Sequence, residues 1–186
     1  MKQESIKFEN FISIIFLILP AALISGPFLS DLIVSIMSLY FIFILTKRRL
    51  VNILKNKFVI LFLSFYIYVL LLSLISKNIF LSLESSLFYF RFLFFSLCIA
   101  YLINNDHNLK DKLKYSFFIT LTFLVFDAYL QFFSGKNILG FNYSYNRVSS
   151  FFNDELVLGS YLARMMPILL GLVATTSLTK KNEVYY

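Results

Sequence analysis

Six long apolar stretches separated by short polar breaks leave this chain little choice but to fold inside a bilayer. They run over residues 10–24, 27–46, 58–76, 87–104, 113–133 and 156–178. A spanning helix takes roughly 20 predominantly apolar residues, so six of them use most of the 186 residues. Soluble domains are nearer half apolar and a quarter charged. Here 59% of residues are hydrophobic and 15% charged, too little polar surface for a water-soluble globule. One Cys, five Gly and three Pro exclude a disulfide scaffold and a collagen repeat. The expected fold is all-α: a polytopic transmembrane helical bundle of about six spans in a single domain, 1–186.

The breaks predict orientation. Lys2 and Lys7 precede the first stretch, and Lys47, Arg48, Arg49, Lys55 and Lys57 follow the second. Lys110, Lys112 and Lys114 follow the fourth, and Lys180 and Lys181 follow the sixth. Those twelve cations fall on one side, against Lys77, Lys136 and Arg147 on the other. Cytoplasmic loops carry the excess of Lys and Arg, so both termini are expected in the cytoplasm, in keeping with an even number of spans. The +7 charge is then a topology signal rather than a mark of nucleic-acid binding. The first stretch has Glu4 and Glu9 in its leading segment and no clear small-x-small site, so it is expected as a retained span, not a cleaved leader.

Local signals refine the boundaries. Ser25 and Gly26 make a tight turn, and Pro27 suits the first helical position, where its missing N–H costs nothing. Ile79, Phe80, Leu83 and Leu87 share a helical face, so a short helix before the fourth span is expected to lie on the outer surface. With no Trp, interfacial anchoring falls to Tyr and Phe.

Few residues carry chemistry. Cys98 reads as a small packing residue, and His107 as a solvated loop residue. Metal-ligand clusters, phosphate-cradling glycine loops and G-x-S-x-G elbows are absent from the sequence, and neither metal nor cofactor is expected. Ionisable groups at membrane depth are expensive and tend to face a cavity or a partner. Those here are Glu84, Arg91, Asp127, Asp154, Glu155 and Arg164. Asp127 and Gln131 share a face, as do Ser160 and Arg164. Asp154 and Glu155 favour the positive end of the sixth helix dipole, which makes capping one reading and a site the other. Arg91 and Arg164 suit interhelical ion pairs, with Asp127 as a partner, or an anion site.

Of the five arginines, Arg91, Arg147 and Arg164 lie in spans or on the outer side. Arg is the better bidentate ligand for phosphate and is less hydrated than Lys. An outer cavity lined by such residues suits a lipid-linked phosphate or pyrophosphate. The longest outer segment, Ser134–Glu155, holds Phe141, Tyr143, Tyr145, Arg147, Asn153 and Asp154. Aromatic faces with Asn, Asp and Arg suit a sugar, and equally an interfacial loop.

The run from Phe126 to Gly140, FDAYLQFFSGKNILG, and the run from Arg147 through Pro167 carry a pattern that resembles the O-antigen ligase and O-antigen polymerase family of bacterial inner-membrane glycosyltransferases. The matching features are Arg147, the Ser149–Phe152 stretch, the polar Asn153–Glu155, then Gly159 and Pro167. The resemblance implies a multi-pass protein of lipopolysaccharide or polysaccharide biosynthesis in the bacterial inner membrane. It implies transfer of a polyprenyl-pyrophosphate-linked glycan, at the periplasmic face, onto lipid A-core or a growing glycan, without a metal. It gives Arg147 the role of pyrophosphate ligand, with Arg164 supporting, and Asp154 and Glu155 beside them.

Family members have many more spans and a large periplasmic loop in their second half, where ligases carry a His that activates the acceptor. The only His here, His107, lies outside the matching region and on the opposite side by the charge count. The chain is therefore expected to be the N-terminal half of such an enzyme, truncated or a fragment, and inactive alone. Two other readings stay open: an accessory or structural inner-membrane protein without catalysis, and a transporter or flippase. Pro20 and Pro167 belong to no internal repeat of the kind transporters show.

Overall fold

The computed structural model describes residues 2–47, 51–106, 108–143, 147–152 and 157–183. Side chains are described from residue 8 to 175, apart from those of residues 51 and 52 and of the segments between these ranges. Seven α-helices follow one another: α1 (Lys2–Ala22), α2 (Pro27–Lys47), α3 (Lys57–Leu74), α4 (Ile79–Leu87), α5 (Phe90–Asn105), α6 (Leu109–Ser134) and α7 (Leu158–Glu183). Short 3-10 turns occupy Val51–Lys55 and Ser150–Phe152, and no strand occurs among the described residues.

The expected all-α bundle is what forms. Five segments are long and apolar enough to cross a membrane: α2, α3, the α4–α5 run, α6, and Leu158–Thr175 of α7. The remaining expected span falls on α1, whose described apolar part, Phe8–Ala22, is shorter. Large apolar side chains face outward all along these helices, with Phe58 80% and Phe80 92% exposed. A water-soluble surface rarely carries contiguous apolar patches of this extent, whereas hydrocarbon solvates them. The protein is a multi-pass membrane protein.

Pro27 opens α2 directly after Gly26, whose φ of 118° is open to glycine and strained for other residues. Ile79–Leu87 forms the short helix foreseen before the fourth span, and the chain breaks at Phe88–Tyr89 before α5 begins.

The chain divides into two compact units, residues 1–30 with 105–186, and residues 31–104. In the first, α6 is the central helix and packs against α1, α7 and the Ser150–Phe152 turn. Its buried face reads Leu109, Leu113, Phe117, Leu121 and Leu124, at the three- and four-residue spacing of one helical stripe. Leu121 and Leu124 pack with Leu158 and Tyr161 of α7, and Val148, Phe151 and Phe152 close over them. Between helices in lipid there is little hydrophobic driving force, so close packing and interhelical hydrogen bonds hold the bundle. Two such bonds tie α1 down. Pro20 has no N–H for the Phe16 carbonyl and loosens the helix there. One residue on, the Leu17 carbonyl accepts from the Ser116 hydroxyl of α6, and the Pro20 carbonyl accepts from Tyr161 Oη at 2.7 Å.

In the second unit, α2 buries Ile33, Val34, Met37, Ser38, Tyr40, Phe41 and Ile44 on one face. Phe41 meets Tyr101 of α5 edge-on, with ring centroids 6.2 Å apart. The α3 helix packs along α4, where the buried hydroxyls of Ser73 and Ser86 bond to each other and Tyr66 Oη donates to the Leu87 carbonyl at 3.0 Å.

Candidate functional site

The α6 stripe turns polar at its C-terminal end. Asp127 and Gln131, one turn apart, continue the line of Leu121 and Leu124, and both are fully buried. Charge and amide at such depth need partners, and the segment that follows α6 supplies them.

That segment begins with Gly135, the residue after the last helical position, at φ 77°. Its N–H donates to the Gln131 carbonyl, an αL helix stop for which glycine is suited. The chain then folds back as a small hairpin. Lys136 bridges Asn142, the Tyr143 N–H donates to the Gly135 carbonyl at 2.8 Å, and Gly140 N–H closes the Asn137–Gly140 turn at 3.0 Å. Asn at the first and Gly at the fourth position of such a turn are common choices.

Asp127 accepts from the Ile138 N–H at 2.9 Å, from Asn137 Nδ2 at 3.4 Å and from the Ser150 hydroxyl. Gln131 Oε1 accepts from the N–H groups of Ser149 at 3.0 Å and Ser150 at 2.7 Å. Its Nε2 donates to the Phe141 and Asn142 carbonyls and to Ser149 Oγ, at 3.3–3.4 Å. Asn137 joins the two halves: Nδ2 donates to the Ser150 carbonyl at 2.8 Å, and Oδ1 accepts from the Phe141 N–H at 2.7 Å. Ser150 is the keystone. Its N–H, hydroxyl and carbonyl are all engaged, it is fully buried, and its φ is +52°. A serine in the left-handed region is uncommon and costs about 1 kcal/mol or more, which these bonds offset.

The network holds the hairpin after α6 and the Ser149–Ser150 backbone against α6, and leaves Arg147 exposed just before the anchored Val148–Phe152 stretch. Arg164 is exposed on α7, one turn after buried Tyr161. Among the described residues no carboxylate pairs with either guanidinium, and no hydrogen bond or ion pair links the two arginines. Asp154, Glu155 and His107 lie outside the described residues.

Asp127 proves to be no arginine partner. Arg91 pairs instead with Asp31 of α2, at 3.0 Å, packs over the Phe92 ring, and its carbonyl accepts from Ser38 Oγ at 2.7 Å. The physical reason is local supply: the backbone N–H of Ile138, the amide of Asn137 and the hydroxyl of Ser150 satisfy the Asp127 carboxylate without a cation. Asn137 was not singled out from the sequence. The only trace of its role is its place two residues beyond the helix-ending Gly135. Cys98 is fully buried in α5, as a packing residue should be. Among the described residues no cluster of His, Cys, Asp and Glu has the makings of a metal site.

No protein-family model, curated protein or solved structure matches this chain.

Proposed function

We propose that this protein provides the donor-binding site of an O-antigen ligase-like glycosyltransferase of the bacterial inner membrane. Both termini face the cytoplasm, and the segment after α6 faces the periplasm. Arg147 binds the pyrophosphate of a polyprenyl-linked glycan, and Arg164, Asp154 and Glu155 complete the donor site. The acceptor is lipid A-core or a growing glycan.

One observation carries the reading. Asp127, Gln131, Asn137, Ser149 and Ser150 all fall within the two runs that resemble the family pattern, and they build the buried network next to Arg147 in the chain. A buried polar network is costly unless fully satisfied. Here it anchors the backbone two and three residues after the exposed Arg147, and a guanidinium is suited to bidentate phosphate recognition.

The test is binding of a polyprenyl pyrophosphate to the purified chain in nanodiscs. R147A is expected to weaken binding at least about tenfold, the value of one charge-assisted contact, and R147K to recover only part of it. Equal binding by wild type and R147A overturns the assignment. A second reading, an accessory protein without catalysis, draws on the Asp31–Arg91 pair, which spends one arginine on helix pairing. Complete lack of donor binding by the wild-type chain selects it.

A further inference from the structure

The second unit carries a feature that the donor reading leaves unused. A cleft of about 910 Å³ runs between one face of α3 and one face of α5. Phe58, Leu61, Phe62 and Phe65 wall one side, and Leu93 and Leu97 the other. Its two serines have their hydroxyl protons engaged within their own helices: Ser64 Oγ donates to the Leu61 carbonyl and Ser96 Oγ to the Phe92 carbonyl. A volume of this size is in the range of lipid and small-molecule sites, and its lining suits hydrocarbon. Helices that dock closely in membranes present small residues, whereas large apolar side chains make up most of this cleft's wall.

Charge decides which hydrocarbon. The cleft reaches Asn56 at the start of α3, and Lys55 and Lys57 flank that residue in the chain. Both are exposed, and neither has a carboxylate partner among the described residues. An apolar cleft whose polar end, Asn56, lies between two exposed lysines in the chain matches an amphiphile with an anionic head and a hydrocarbon tail. We propose that the α3–α5 cleft binds an anionic phospholipid, one acyl chain lying along Phe62, Phe65 and Leu97 and the phosphate meeting Lys55 and Lys57. The inference is independent of the donor site, which lies in the other unit.

The test uses the full chain in phosphatidylcholine nanodiscs containing a trace of phosphatidylglycerol with a photoreactive diazirine in one acyl chain. Crosslinks mapped by mass spectrometry are expected on the cleft residues of α3 and α5. Unlabelled phosphatidylglycerol should compete and extra phosphatidylcholine should not. A lysine near an anionic head is worth about fivefold, so K55Q/K57Q should cut labelling by about tenfold or more. A100F, which fills the cleft, should reduce it without touching the lysines, and circular dichroism checks that each variant keeps its helices. Labelling spread evenly over the outward faces of α3 overturns the proposal. So does equal labelling by a phosphatidylcholine probe, or no change in K55Q/K57Q.

Discussion

Gln131 and Ser150, nineteen positions apart, are joined by a 2.7 Å hydrogen bond from the Ser150 N–H to the Gln131 side-chain carbonyl. The bond fastens a strained left-handed serine to the buried face of a membrane helix. Around it, Asp127 and Asn137 complete a set of contacts in which each side chain serves at least two partners. Removing one member therefore strands several others.

Asp127→Ala is expected to be among the most damaging single changes in the first unit. It removes the acceptor of the part-buried Ile138 N–H and leaves the buried Ser150 hydroxyl with only the Leu124 carbonyl at 3.3 Å. A buried group that loses its acceptor costs about 1–3 kcal/mol, and a loss in that range is expected. Asp127→Asn keeps an oxygen and should cost less. Thermal unfolding in detergent, followed by circular dichroism, ranks the two.

Substitutions at Ser150 separate strain from bonding. Ser150→Ala keeps the left-handed backbone and loses the hydroxyl bond to Asp127. Ser150→Gly loses the same bond and relieves the backbone. The glycine variant should be the more stable by about 0.5–1 kcal/mol, with both below wild type in unfolding midpoint.

Glycine positions offer an opposite pair. A Cβ added at Gly135 or at Gly171 meets nothing within 4 Å. Gly135 has φ 77° and Gly171 lies within α7. Gly135→Ala should therefore destabilise by about 1 kcal/mol through backbone strain alone. Gly171→Ala should be neutral or stabilising by up to about 1 kcal/mol. Unfolding midpoints moving in the same direction for both contradict this.

Tyr161→Phe removes the buried bond to the Pro20 carbonyl, and Ser116→Ala removes the bond to Leu17. Each should cost about 0.6–2 kcal/mol, the range for interhelical hydrogen bonds in membranes. Their shared effect falls on α1, so hydrogen exchange should rise in the Phe16–Ala22 turns ahead of the rest of the first unit.

The Asp31–Arg91 pair should contribute little. Asp31 is 55% exposed and Arg91 25%, and pairs that meet solvent are typically worth about 0–1 kcal/mol. A double-mutant cycle with D31N and R91M should give a coupling energy within that range. A coupling well above it would mark the site as a dry one.

Much of the architecture was legible in one dimension. The apolar stretches at 27–46, 58–76, 87–104 and 113–133 lie close to α2, α3, α5 and α6, because a bilayer demands a length of apolar helix and the chain records that length directly. Pro27 marks a helix start for a reason that is local to the backbone. The short helix at Ile79–Leu87 was legible in its apolar spacing.

Partner choice was not legible. Asp127 and Gln131 could be placed on one face from their spacing, but not matched to Asn137 and Ser150, which approach only after the chain reverses beyond Gly135. Arg91 found Asp31, sixty residues away, rather than Asp127. Sequence alone determined which segments enter the membrane and where helices stop, since those depend on transfer energy and backbone geometry residue by residue. Tertiary structure decided which buried polar groups satisfy one another and which arginines stay exposed, since a hydrogen bond depends on a distance that no linear pattern encodes.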